Sequence, residues 1–225
     1  MSKTNTFYLV ALVGAVCAFY IVRSFVFGHF FVPSRTVRLD VLQGFLIGVG
    51  FAFVTAQAYA RIKATKVNGW ITMFGLGVPS NGVLLRAAHA QYFPGPVTVP
   101  EEAMYWWANV DGAGHTLNGE HDYIVHFPPG GLPPNSAFWS LTMADAKNRF
   151  VPNLINRYSV GDRSGLLSSA DSSVNIYIQK TAANGHESNW LPSPSGNFIL
   201  WLRVYEPGAA ILNGTYRPPP VAKAK

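Results

Sequence analysis

Four side chains with metal-ligand chemistry, His115, Glu120, His121 and His126, fall within twelve residues of one another. A metal held inside a small β domain needs closely spaced histidines and an acid that face one cavity. No His-x-His pair is present, and strand alternation puts His121 and His126 on opposite faces. The four therefore read as surface or turn residues, and neither a metal nor an organic cofactor is expected. Asp111-Gly112-Ala113-Gly114 lacks the alternating acidic ligands of a calcium loop and reads as a tight turn. Ser140, Thr142 and Ser159 are candidate nucleophiles, yet no Gly-x-Ser-x-Gly elbow surrounds them. His186-Glu187 would be a base pair lying in a loop beside Asn184-Gly185. A hydrolytic or metal-dependent enzyme is the least supported class.

A polar-aromatic set remains. Asn156, Arg157 and Tyr158, with Asn189, Trp190 and Arg203, offer donors and ring faces that suit a carboxylate or a sugar. The structural reading of the same residues pairs Arg157 and Arg203 with Asp145, Asp162 or Glu206 and puts Trp139 and Trp190 in the core. The structural reading is favoured. Trp106-Trp107 occupies both faces of one strand, so one indole faces outward.

The elements that must position these residues are mostly strands. Residues 137–143 and 149–155 read as two strands about the turn Ala144-Asp145-Ala146-Lys147-Asn148. Residues 103–110, 123–127, 173–179 and 197–205 read as further strands; 173–179 alternates Val174, Ile176 and Ile178 against polar neighbours. Residues 81–90 read as one short helix, 67–77 as a glycine-rich connector and 218–225 as a flexible tail. Strands at short spacing with Pro/Gly punctuation predict a mainly β, jelly-roll-like sandwich.

The N-terminal part is different. The chain has 225 residues and a formal net charge of +6. Residues 1–66 hold seven basic side chains against Asp40 alone, whereas 67–225 hold ten of each sign. Basic charge so confined flanks membrane spans and does not form a nucleic-acid face. Two apolar runs, about 7–31 and 41–60, predict two transmembrane helices, the second uncharged and just long enough for a hydrocarbon core of about 30 Å. Arg23 interrupts the first, at the membrane edge or on a tilted helix. A cleaved signal peptide is disfavoured, since a second span follows. Gly44, Gly48 and Ala52 form a small-residue face on the second run. The expected organisation is a membrane anchor over 1–66 and a globular β domain over 67–225. Basic residues are nearly balanced between the loop (Arg35, Arg38) and the outer flanks, so charge leaves the orientation open. The lone Cys17 allows no intramolecular disulfide.

Several motifs in order carry a family resemblance: Leu132-Pro133-Pro134 leading to Phe138-Trp139-Ser140-Leu141-Thr142, then Asn156-Arg157-Tyr158-Ser159, Asn189-Trp190-Leu191-Pro192, Arg203-Val204-Tyr205 and Asn213-Gly214-Thr215. Asp111-Gly112 with Leu117-Asn118-Gly119 fits the opening of the same pattern. From about Gly69 to Val221 the chain resembles the bacterial family called domain of unknown function 1214. The resemblance implies a jelly-roll-like domain held outside the cytoplasmic membrane, with Arg35 and Arg38 inside, and no established activity. The expected protein is thus a multi-pass bacterial inner-membrane protein with a periplasmic or extracellular domain. Its expected role is that of a structural or accessory subunit of an envelope complex. The alternatives are a module for a small polar or sugar-like ligand, or an enzyme. Expected partners are the lipid bilayer and other membrane proteins or further copies of the chain, with no nucleic acid.

Overall fold

A computed structural model describes residues 34–93, 97–182 and 184–224. The expected first span, 7–31, lies outside the described residues. Two compact units result, one helical (described residues 34–63 and 80–93) and one β (64–79 and 97–224).

The helical unit holds α1 (Ser34–Lys63) and α2 (Val83–Tyr92). In α1 the window Leu42–Lys63, 22 residues of mean hydropathy 1.4, is long and apolar enough to cross a membrane, and it is the one such helix among the described residues. The helix runs past the expected end at residue 60, and Arg61 and Lys63 in its last turn complement the negative end of the helix dipole. Open space surrounds Gly44 and Gly48, so no described residue packs on the small-residue face.

The β unit contains β1 (Thr65–Val67), β2 (Trp70–Thr72), β3 (Ala103–Ala108), β4 (Tyr123–Phe127), β5 (Asn135–Asp145), β6 (Ser159–Gly161), β7 (Val174–Gln179), β8 (Trp190–Pro192), β9 (Phe198–Pro207), the short helix α3 (Ala209–Leu212) and β10 (Val221–Lys223). They form a six-stranded sheet, β1-β2-β3-β9-β5-β6, and a four-stranded sheet, β10-β4-β7-β8. Every pairing is antiparallel except β7 with β8. The unit is mainly β, an open, sandwich-like arrangement of two sheets.

Period-two alternation builds the core. Met104 and Trp106, Trp139 and Leu141, and Leu200 and Leu202 are buried on the large sheet; Val125, Phe127, Ile176 and Ile178 are buried on the small one. Phe127 meets Trp139 at 5.4 Å between ring centroids, and Tyr123 meets Phe198 edge-on at 5.7 Å. Trp106 is in the core and Trp107 points to the other face, tilted against Trp201 at 6.5 Å.

Three expectations are corrected. Residues 149–155 do not form a strand. Asp145 Oδ1 accepts the N–H groups of Lys147 and Arg149, and Asn148 takes φ 60° to close the turn. Pro152 then removes one donor, and the Asn153 side chain takes the carbonyls of Val151 and Arg157 and the N–H of Arg157. Pairing with β5 resumes at Tyr158, whose carbonyl accepts the Met143 N–H, and continues through β6, where Leu141 faces Val160. The expected connector 67–77 holds the turn and second strand of the β1–β2 hairpin, which begins at Thr65 and is turned by Asn68 (φ 51°) and Gly69 (φ 85°), the residue pair that a primed two-residue turn demands. A Cβ on Gly69 would sit 2.7 Å from the Asp111 carbonyl oxygen. The tail, expected to be flexible, adds β10 to β4, with Val221 fully buried. Asn68 Nδ2 and Trp70 Nε1 fasten it by donating to the carbonyls of Pro218 and Pro219 at 2.9 and 2.7 Å.

Candidate functional site

The polar-aromatic set divides. Arg157 and the 187–190 segment come together. Arg157 Nη1 donates to the main-chain oxygens of Glu187 (2.5 Å) and Trp190 (3.0 Å). Its partners are the carbonyls of the first residue of a short 3₁₀ turn (Glu187–Asn189) and of the first residue of β8, where an acid was expected. Asn189, buried in that turn, accepts the N–H of Leu167 and donates to the carbonyls of Leu167 and Asn175, each at 2.8 Å. Trp190 Nε1 donates to the Gln179 carbonyl at 2.8 Å, and its ring is only half-buried. Asn156 adopts φ 50° and lies 3.4 Å from the Tyr158 hydroxyl. These residues act as a clasp that fastens the segments 149–158 and 165–170 to the turn before β8. Arg203 is elsewhere, central on β9; it donates to Thr142 Oγ1 at 3.0 Å and lies 5.7 Å from the Trp201 ring.

The four candidate metal ligands are not brought together, and no group of three His, Cys, Asp or Glu side chains fit for a metal occurs among the described residues. His126 shares a 2.7 Å hydrogen bond with Asn175, Glu120 pairs with Lys180 at 2.7 Å, and His115 lies 3.4 Å from Asp111. His121 is exposed, and its N–H donates to the Asn118 carbonyl.

Asp111 has the turn role read from the sequence. Its Oδ1 accepts the N–H groups of Ala113 (2.9 Å) and His115 (2.8 Å). Burial works to raise the carboxyl's pKa, and the backbone bonds from His115 and Ala113 and the His115 ring outweigh it, so the value lies below the ordinary carboxylate range. The stabilisation is therefore present above the ordinary value, about 3.9, and is lost as pH falls through the lower folded value. Asp111→Ala should cost about 1–2 kcal/mol at neutral pH and flatten the acid limb of the stability profile, measured by thermal melts between about pH 2 and pH 7.

The sequence reading did not find a depression of about 460 Å³ lined by Pro128, Leu132, Pro134, Tyr216, Arg217 and Pro219 among others. Tyr216 forms its wall, edge-on to Trp106 at 6.1 Å, with its hydroxyl 3.4 Å from the Gly131 carbonyl oxygen. Burial pushes that phenol's pKa well above its ordinary value, so it stays protonated. None of the six polar-aromatic candidates lines this depression. Its signals in the sequence are proline density around Gly130-Gly131 and in 216–220, and the two motifs that contribute Leu132, Pro134 and Thr215 to its lining.

No curated protein matches the chain. Among solved structures, the VPA0106 protein from Vibrio parahaemolyticus is similar at a TM-score of 0.56 and 30% identity, over 65% of this chain. The chain spans 36% of the length of that protein. An uncharacterised protein from Burkholderia cenocepacia aligns over 97% of this chain and 49% of its own, at 14% identity and a TM-score of 0.37. Residues 102–209, from the approach to β3 through the start of α3, match the family model described as "Protein of unknown function (DUF1214)", and the match supports the family read from the motifs in this part of the β unit.

Proposed function

We propose that the protein is a membrane-anchored β domain that serves as a structural or accessory subunit of a membrane complex. The observation that carries this reading is the surface of α1. Leu42, Phe45, Leu46, Val49 and Phe53 are between 52% and 64% exposed along one apolar helix. Such side chains are stable in lipid and costly in water. We also propose the finer parts of the reading: a second span over 7–31, a jelly-roll-type sandwich, an extracytoplasmic β unit in a bacterial inner membrane, and assembly with further copies or other membrane proteins. Arg157, Asn189 and Trp190 spend hydrogen-bonding capacity on main-chain partners, which favours a structural role over ligand capture at these residues.

The test is extraction of cell membranes with alkaline carbonate. The chain should stay in the pellet; release to the supernatant would overturn the anchor. Val49→Lys with Phe53→Lys, both close to the middle of Leu42–Lys63, should weaken retention, since each cation near a span's centre costs about 3 kcal/mol on the insertion scale. A reporter fused after Lys225 reads the side of the β unit, and native electrophoresis in mild detergent that shows only monomer would remove the subunit reading.

A further inference from the structure

The depression beside Tyr216 has walls that are fixed before any ligand arrives. On one side the Gly131 N–H donates to the Pro128 carbonyl, and the Pro134 carbonyl accepts the Gly208 N–H, each at 2.8 Å. On the other side the Tyr216 N–H donates to the Ala210 carbonyl at 2.7 Å, and Asn68 and Trp70 hold the carbonyls of Pro218 and Pro219. A cavity already held in shape loses little entropy when it fills. Its volume of about 460 Å³ falls within the range of about 300–1,000 Å³ that suits one small molecule.

The lining selects both ends of that molecule. The rings of Pro128, Pro134, Pro219 and Tyr216 and the Leu132 side chain offer apolar surface. Arg217 is the one charged side chain among the ten lining residues. Its Nη1 donates to the carbonyls of Gly214 (2.5 Å) and Tyr216 (3.3 Å). Nε and Nη2 remain, the edge of a guanidinium that takes a carboxylate through two parallel bonds. Among the described residues no carboxylate lies within ion-pair distance of Arg217. Glu206, the nearest acid along the chain, is exposed and does not line the depression. Asp111, drawn toward the tail by the bond from the Gly112 N–H to the Val221 carbonyl, already accepts two N–H groups and faces His115. The positive charge at the rim is therefore uncompensated. The Thr215 hydroxyl is engaged with Asn213 Oδ1 at 2.7 Å and has no proton to offer. The Tyr216 hydroxyl stays protonated, and its 3.4 Å approach to the Gly131 carbonyl is too long for a strong bond, so its proton can turn to a ligand oxygen.

We propose that this depression binds a small organic carboxylate. An apolar ring or branched chain lies against the prolines and Leu132, the carboxylate takes the free edge of Arg217, and the Tyr216 hydroxyl is a further donor. Every lining residue belongs to the β unit, so the site stands whether or not α1 crosses a membrane.

The test titrates the full chain in detergent with phenylacetate, cyclohexanecarboxylate and isovalerate, and with neutral benzyl alcohol, each followed by saturation-transfer NMR. Leu132→Trp, which fills the mouth, reports uptake by the micelles alone. At least one carboxylate should saturate with a dissociation constant of about 1 mM, ordinary for a ligand of about ten heavy atoms. Phenylacetate should bind about tenfold more tightly than benzyl alcohol, and Arg217→Gln should erase that preference. Arg217→Lys, which keeps the charge without the fork, should fall between the two. No saturation by any of the three carboxylates below about 10 mM, or equal binding by the parent chain and Leu132→Trp, would show that the depression is not a ligand site. Phenylacetate binding that matches benzyl alcohol, or that survives Arg217→Gln, would overturn the carboxylate assignment. Should Arg217→Gln fail to fold, the comparison of phenylacetate with benzyl alcohol on the parent chain decides alone.

Discussion

Asn189→Ala destabilises the β unit by about 3 kcal/mol, enough to lower the thermal midpoint by about 10 °C for a unit of this size. The side chain is 5% exposed and makes three hydrogen bonds, to the N–H and carbonyl of Leu167 and to the carbonyl of Asn175. Truncation leaves these main-chain groups unpaired where water reaches them poorly, and each such group costs about 1–3 kcal/mol. Asn189→Asp separates geometry from bonding. It keeps the acceptor for the Leu167 N–H but sets a carboxylate oxygen against two carbonyls that need a donor. It should be as damaging as alanine at neutral pH and partly recover as the carboxyl protonates in acid. Urea titrations of the detergent-solubilised chain measure both. A loss for Asn189→Ala within about 0.5 kcal/mol of zero would show that the clasp is not what holds the two loops.

Gly119→Ala should cost about 3–5 kcal/mol or prevent folding outright. A Cβ at this buried position would fall 1.5 Å from the carbonyl oxygen of Pro194, a main-chain atom that no rotamer change can remove. The surrounding chain cannot readily retreat. Gly119 N–H donates to Gly196 at 3.0 Å, and the Asn118 amide donates to Asn197 Oδ1 at 2.8 Å, so the 118–119 segment is bolted to the entry of β9. Gly196→Ala, in the same small region but with open space around the added methyl, is the control and should lie within about 0.5 kcal/mol of the parent chain. Equal melting temperatures for the two variants would contradict the close approach of the 118–119 and 194–197 segments.

Much of the fold was legible where a local rule sufficed. The strand over Tyr123–Phe127 and the alternation of Val174, Ile176 and Ile178 follow from one-sided burial, which has a two-residue period visible in sequence. The short helix, expected over 81–90 and found over Val83–Tyr92, and the apolar run 41–60, found inside the longer helix Ser34–Lys63, were visible for similar reasons. What failed were places where a distant partner decides the structure. Val221–Lys223 looks like a loose end until β4 offers an open edge, and Val67 to Gly77 looks like a connector until β3 offers one to β2. Residues 149–155 have extended propensity, yet beyond Arg149, whose carbonyl accepts the Asp145 N–H, Pro152 offers no donor and the Asn153 side chain binds the main chain of Val151 and Arg157 in place of a β5 partner.

The candidate site divides in the same way. Residue types alone grouped Asn156, Arg157, Asn189 and Trp190 as a polar-aromatic set, and the chain does bring Arg157 to the 187–190 turn. Sequence by itself determined the apolar helix, the neutral β domain, the five long strands and the family motifs, because hydropathy, charge and period-two burial are properties of short stretches. Only the tertiary structure decided that the polar side chains face main-chain carbonyls and not a cavity. It alone showed that His115, Glu120, His121 and His126 point to separate partners, and that the tail completes a sheet. Hydrogen-bond partners lie 14 to 150 residues away in many of these contacts, and no local pattern encodes which of several donors will reach a given acceptor.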